Sequence, residues 1–221
     1  MTKAQHLFLI DVDNTLLDND QIERDLSDHL TRVFGREACD RYWAILEQLR
    51  RELGYADFLG ALQRYRVENI HDPHILEMSS FLVDYPFADR LYPGALDTLT
   101  RLKRKWPVVI LSDGDAVFQP RKVKRSGIWE AVDGHVLIYV HKEHMLDDVE
   151  RLYPAEHYFF VDDKLRLLTA AKKIWIDRVT TVFHRQGSYA FNEAVKTYPP
   201  ADLTVDHIAE LFEAVQKILG I

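Results

Sequence analysis

The chain has 221 residues, 47% of them hydrophobic, enough to bury a substantial core in one large domain or in two unequal ones. A formal net charge of -7 argues against general binding to nucleic acid or to an anionic membrane surface, both of which call for a basic face. Cys39 is the only cysteine, which excludes an intramolecular disulfide, and no apolar run approaches the roughly 20 residues of a membrane span.

In chain order, Leu7-Phe8-Leu9-Ile10 reads as a buried strand that runs directly into Asp11-Val12-Asp13-Asn14-Thr15. This apolar stretch is too short for a signal peptide, so a soluble cytoplasmic protein, monomeric or homodimeric, is expected. The next stretch has no convincing strand and is long on helix formers, with helices over Glu23 to Phe34, Glu37 to Leu53, Tyr55 to Glu68 and Pro73 to Val83. Asp72-Pro73 reads as an N-cap followed by proline in the first helical turn. Together they make an all-helical insert of about 70 residues, large enough for a small bundle.

Leu96, Leu99 and Leu102, after Pro93-Gly94, mark a helix. Strands follow at Val108-Leu111, Val136-Val140, Tyr158-Val161 and Val179-Phe183, with a helix from Val117 to Ser126 closed by Gly127 and another after Asp163. A turn at Tyr198-Pro199-Pro200 precedes a last short strand and a helix striped by Ile208, Leu211, Phe212, Val215 and Leu219. Strands alternating with helices imply right-handed crossovers and a parallel sheet with helices on both faces. The predicted fold is therefore α/β: a Rossmann-like core over residues 1–16 and 89–221, and a small helical cap domain over 17–88.

Four strand ends carry polar groups: Asp11 and Asp13, then Ser112 with Asp113 and Gly114, then Lys142, then Asp162 and Asp163. In a parallel sheet these ends meet at one edge, where ligands of open α/β sheets bind. Paired acids there can hold a divalent cation, attack a substrate or carry a proton.

This set, in this order, resembles the haloacid dehalogenase (HAD) superfamily, in particular members with a helical cap inserted after the first strand. The resemblance covers nearly the whole chain and implies a Mg²⁺-dependent phosphatase acting on a small phosphorylated metabolite. It makes Asp11 the nucleophile that forms an aspartyl-phosphate and Asp13 the acid–base partner. Mg²⁺ would be held by the Asp11 carboxylate, the Asp13 main-chain carbonyl and Asp162. Ser112 and Lys142 would bind the phosphoryl group, aided by amides of the Asp113-Gly114 turn. Asp163 would orient Lys142 or a bound water, and Thr15 would stiffen the loop through a hydrogen bond to the backbone. Members that displace halide lack an acid at the position of Asp13; halide needs no proton to leave, whereas an alkoxide does. Asp13 therefore favours phosphatase over 2-haloacid dehalogenase. A phosphotransferase and a non-catalytic binding module on the same fold are further alternatives.

Other signals have plainer readings. Lys122 is a second candidate for the catalytic lysine, but it lies within a helix and is expected to snorkel on its surface. Where the family often has Lys-Pro, this chain has Lys142-Glu143, and Asn14 stands where glycine is common. Asn also tolerates left-handed backbone angles. His141 and His144 lack a third imidazole and read as ordinary polar residues. The basic run Arg121-Lys122-Lys124-Arg125 is expected to complement a helix dipole. Asp18, Asn19, Arg24, Arg50 and Arg51 are candidate substrate contacts.

Overall fold

The structure is a computed structural model and describes residues 3–221. β1 (Ala4–Ile10), β2 (Val108–Asp113), β3 (Val136–Tyr139), β4 (Ala155–Asp162), β5 (Val179–His184) and β6 (Leu203–Val205) form one sheet in the order β3-β2-β1-β4-β5-β6, with every pairing parallel. β6 is the short strand expected after Pro200, and β3 stops at Tyr139, one residue before the predicted end. Ile10 at the end of β1 lies opposite Ile110 of β2 and Val161 of β4. The residues that follow these three strands therefore emerge side by side.

Between β1 and β2 lie α1 (Asn19–Phe34), α2 (Arg36–Leu53), α3 (Phe58–Glu68) and α4 (Ile75–Asp84). They enclose a core of their own, with Leu26, Tyr42, Leu46, Phe58 and Met78 at its centre. Tyr42 spends its hydroxyl inside this core, donating to the Phe58 carbonyl at 2.9 Å. The helix starts differ from the sequence expectation because of local caps. α1 begins at Asn19, ahead of Glu23, where the Asp18 carboxylate accepts the Gln21 N–H at 2.9 Å. α3 begins at Phe58, after Tyr55, where Asp57 accepts the Gly60 N–H at 2.7 Å. Asp72 does not cap α4; it accepts the His74 N–H at 2.9 Å and closes the preceding turn.

The sheet is covered on both faces, so β1 is buried throughout its last four residues. Phe8 and Ile10 point into one core with α5 (Ala95–Lys103), and Leu7 and Leu9 into the other. α6 (Phe118–Arg125) and the short α7 (Ile128–Ala131) follow β2 and add Val123 and Ile128 to the first core. α8 (Leu146–Leu152) and α9 (Leu165–Trp175) cover the second, where Trp175 stacks on Tyr158 at 4.3 Å between ring centroids. The short α10 (Gly187–Ala190) follows β5, and α11 (Leu211–Leu219) packs its predicted stripe on the first face.

α6 is where the helical insert rests. Its Phe118 joins the insert's core, 5.2 Å from the Phe58 ring and 5.7 Å from that of Phe87. Arg121 donates to the Val83 carbonyl at 2.7 Å and Arg125 to the Asp84 carbonyl at 2.9 Å. Those carbonyls belong to the last turn of α4 and have no partner within that helix. Arg121 and Arg125 thus also serve a neighbouring helix terminus, while Lys122, Lys124 and Arg125 stand in the last turn of α6, as the dipole reading expected.

Candidate active site

Asp11, the first residue past β1, is buried between Lys142 and Asp162. Lys142 Nζ stands 2.5 Å from Asp11 Oδ1 and donates to the Leu111 carbonyl at 3.1 Å. It also lies 2.7 Å from Asp162 Oδ2, but off the hydrogen-bonding direction, so that approach is a charge contact. The other Asp162 oxygen accepts the Lys164 N–H at 2.8 Å. Asp163 is fully buried, and neither of its carboxylate oxygens has a hydrogen-bond partner among the described residues.

These groups share too little solvent for ordinary titration. Burial pushes the Asp11 carboxyl up to about 6 despite the opposing pull of Lys142, with Asp162 adding to the rise. Burial likewise raises Asp163 well above the usual carboxylate range, against Lys164 and with help from Asp162 and Asp11. For Lys142 burial disfavours the charge, yet Asp11, Asp162 and Asp113 outweigh it and hold the ammonium above its usual pKa. Lys164 is raised in the same way, chiefly by Asp163 and Asp11 against its burial.

One oxygen each from Asp11, Asp162 and Asp163 fall within 4.8 Å of one another. An all-oxygen set with unpartnered buried atoms on Asp163 suits a hard divalent cation. Asp163, expected only to orient neighbours, stands in this set. Asp13, expected among the ligands through its carbonyl, turns its carboxylate elsewhere: Lys122 Nζ sits 2.7 Å from its Oδ1. Lys122 is 1% exposed, which corrects its reading as a surface lysine, and it donates as well to Asn19 Oδ1 at 2.9 Å. Of the two candidate lysines, Lys142 meets Asp11 and Lys122 meets Asp13.

Ser112 ends up beside Asp13 through a residue the sequence reading passed over. Gln119 Nε2 donates to Ser112 Oγ at 2.9 Å and to Asp13 Oδ2 at 3.4 Å. A Cβ on Gly114 would lie 2.6 Å from that of Gln119, so glycine is needed there for this close approach. The Gly114 amide itself is committed to the Tyr139 carbonyl at 2.9 Å, a correction to its expected role as a phosphoryl donor. Asp113 accepts the Lys142 N–H at 2.7 Å and so fixes the lysine's backbone. Its carboxyl is pushed upward by burial against the influence of Lys142.

The loop after Asp11 is tightly specified. Thr15 donates its hydroxyl to Asp11 Oδ2 at 3.3 Å, a side-chain contact in place of the expected backbone one. Asn14 adopts φ 58°, as anticipated for a residue in a glycine-like position. Its amide does more than glycine could: Oδ1 accepts the N–H groups of Asn19 and Asp20, and Nδ2 donates to Asp20. Buried His184 lies with Nδ1 3.0 Å from the Asn14 carbonyl, which selects the Nδ1–H tautomer.

A cavity of about 420 Å³ opens between this edge and the helical insert. Asp13, Lys164 and His141 line it from the sheet side, and Asn19, Glu23 and Arg50 from the insert. Gly54 abuts His141 so closely that a Cβ would lie 2.4 Å from the ring. Of the other candidate contacts, Asp18 and Arg24 line a separate depression, and Arg51 lines neither space. His141 and His144 stand 5.5 Å apart between ring centroids and are outside the acidic cluster. No helix among the described residues is long and apolar enough to cross a membrane.

Comparison with known proteins agrees with this architecture. A crystal structure of a haloacid dehalogenase-like hydrolase from Burkholderia xenovorans LB400 is 58% identical, covers 98% of this chain and 99% of its own, and superposes with a TM-score of 0.92. The L-2-haloacid dehalogenase of Xanthobacter autotrophicus, with chloropropionic acid covalently bound, shares 19% identity over 96% of this chain and 98% of its own, with a TM-score of 0.62. A HAD-type hydrolase from Bacillus subtilis bound to magnesium shares 17% identity over all of both chains, with a TM-score of 0.65. These last two likenesses speak for the fold alone. No curated protein matches the chain. The family profile for haloacid dehalogenase-like hydrolases matches residues 6–174, and with it the chain belongs to that family of hydrolases.

Proposed function

We propose that this protein is a Mg²⁺-dependent phosphatase that hydrolyses a small phosphorylated metabolite by way of an aspartyl-phosphate on Asp11. The observation that carries the reading is a second carboxylate, Asp13, held at the cavity wall beside the buried Asp11–Lys142 pair. Halide leaves without a proton, whereas departure of an alkoxide calls for an acid at that position.

Asp11, Asp162, Asp163 and the Asp13 carbonyl would hold the cation, whose charge screens two anions as they approach. The chain's own groups account for the rest. An Asp11 oxygen attacks phosphorus while the bond to the leaving oxygen breaks and Asp13 supplies that oxygen with a proton. Water then gives a proton to Asp13 and attacks phosphorus, which frees phosphate and restores the Asp11 carboxylate. Lys142 keeps Asp11 ionised and aimed, and balances charge as it shifts to the phosphoryl oxygens. Ser112, steadied by Gln119, offers its hydroxyl to one of those oxygens. Glu23 and Arg50 on the insert face the leaving group, and the insert excludes bulk water from the intermediate.

The test compares purified protein on an aryl phosphate with Mg²⁺ and on 2-chloropropionate with EDTA. Metal-dependent phosphate release and no chloride release is the expected result. Chloride release in EDTA, with water oxygen entering the Asp11 carboxyl, would make the protein a dehalogenase instead.

A further inference from the structure

Lys122 is one of two fully buried lysines at this edge, and the one that makes no contact with Asp11. Its ammonium joins two separate segments: Asp13 in the loop after β1, at 2.7 Å, and Asn19, the first residue of α1, at 2.9 Å. The ring of Phe118, one turn earlier on α6, lies with its centroid 5.4 Å from Nζ. Gln119 on the same helix face reaches the other oxygen of Asp13. A buried ammonium costs several kcal/mol unless its partners are well placed. A helix that needed only packing here would carry an aliphatic residue.

The rest of α6 points the same way. Arg121 and Arg125 hold the end of α4, and Lys122 holds the start of α1. One helix of the sheet domain therefore grips the insert where the chain enters it and where the chain leaves it.

We propose that Lys122 is a positioning residue that ties Asp13 to the root of the helical insert, so that the acid–base carboxylate is in place only when the insert is seated on α6. The inference rests on the reading of Asp13 as the proton carrier. Lys122 neither lines the cavity nor pairs with Asp11, so its removal should act on turnover and leave substrate affinity alone. The effect should be greatest for leaving groups that need a proton.

The test is a double-mutant cycle with Lys122→Met and Asp13→Asn. On phenyl phosphate, Lys122→Met is expected to lower kcat about 10–100-fold, the scale of a small misplacement, with KM changed less than about threefold. The loss should be smaller on p-nitrophenyl phosphate, and Lys122→Arg should recover most of it. In the Asp13→Asn background the same substitution should cost less than about threefold further. Equal losses in both backgrounds, or a loss carried by KM, would overturn the proposal.

Hydrogen exchange supplies an arm that needs no turnover. Lys122→Met should speed exchange of amides in residues 13–22 about tenfold while β1 and α9 keep their protection. Unchanged protection over 13–22 would also overturn the proposal. An inert wild type that still shows the exchange effect would remove the phosphatase reading and keep the tie, so the two failures are distinct. Should Lys122→Met not fold, Asn19→Ala severs one side of the tie and serves in the exchange arm, which its place at the cavity wall does not affect.

Discussion

The sheet edge and the helical insert solve opposite problems with the same chain. At the edge, strand ends deliver Asp11, Lys142, Asp162 and Asp163 to positions at most 2% exposed, so charge is stored where it is costly. Inside the insert the buried residues are apolar or aromatic, and ions such as Arg64 and Glu52 pair on its surface. The edge crowds carboxylates that burial and mutual repulsion hold above their usual pKa. The insert is built to hold a shape and lend a few polar side chains to a cavity. The two meet at α6, whose Val123 joins the sheet's core and whose Phe118 joins the insert's.

The contrast can be broken first at the edge. If Asp11 is the nucleophile proposed above, Asp11→Asn should lower phosphatase activity by about 10³-fold or more. The buried amide should leave the fold intact by circular dichroism, and ordinary activity in this variant would remove Asp11 from its role. In the insert the expectation reverses. Leu46→Ala should cost about 2–5 kcal/mol in stability by opening a cavity in the bundle, read by urea unfolding. Its kcat, measured well below the unfolding transition, should change less than about threefold.

A divalent cation held by the acidic cluster would sharpen the comparison, because it would relieve crowding at the edge only. Mg²⁺ at 100 times its Kd should stabilise the protein by about 2.7 kcal/mol. In a chain of this length that corresponds to roughly 5–10 °C in Tm. Asp163→Asn should shrink that shift, and Leu46→Ala should leave it unchanged. A full shift in Asp163→Asn would take this residue out of the ligand set.

The smallest effect lies at the far end of the sheet. Burial, aided by His6 and Lys172, holds the His157 imidazole below its usual pKa of 6.5. The unfolded chain therefore takes up a proton near pH 6.5 that the folded chain refuses until lower pH. Stability from this site is complete above pH 6.5 and declines as pH falls below it. His157→Gln should flatten the fall of Tm between pH 7 and 5.5 by no more than about 2 °C, and a steeper fall would contradict the sign.

Much of this was legible in the sequence because strands announce themselves by composition and their ends by sudden polarity. Leu7-Ile10 followed by Asp11 needs no tertiary information, and the alternation of elements dictates that Ser112, Lys142 and Asp162 return to the same edge. The parts that escaped depend on which way a helix turns. Lys122 looked like a solvated cation until α6 was placed against the insert. Phe118, Gln119, Lys122 and Val123 nevertheless form one buried face at helical spacing, and that pattern was available from the sequence. Asp163 and Gly114 escaped for a different reason. Whether a carboxylate is a ligand or a helper, and whether an amide is free or paired to Tyr139, is decided over distances no periodicity encodes.

The most direct test is to quench the enzyme in acid during the first turnover of an aryl phosphate with Mg²⁺ and to weigh its peptides. The peptide containing Asp11 should carry a phosphoryl group that is absent from Asp11→Asn. Phosphate released by an enzyme whose Asp11 peptide never gains that mass would contradict the account.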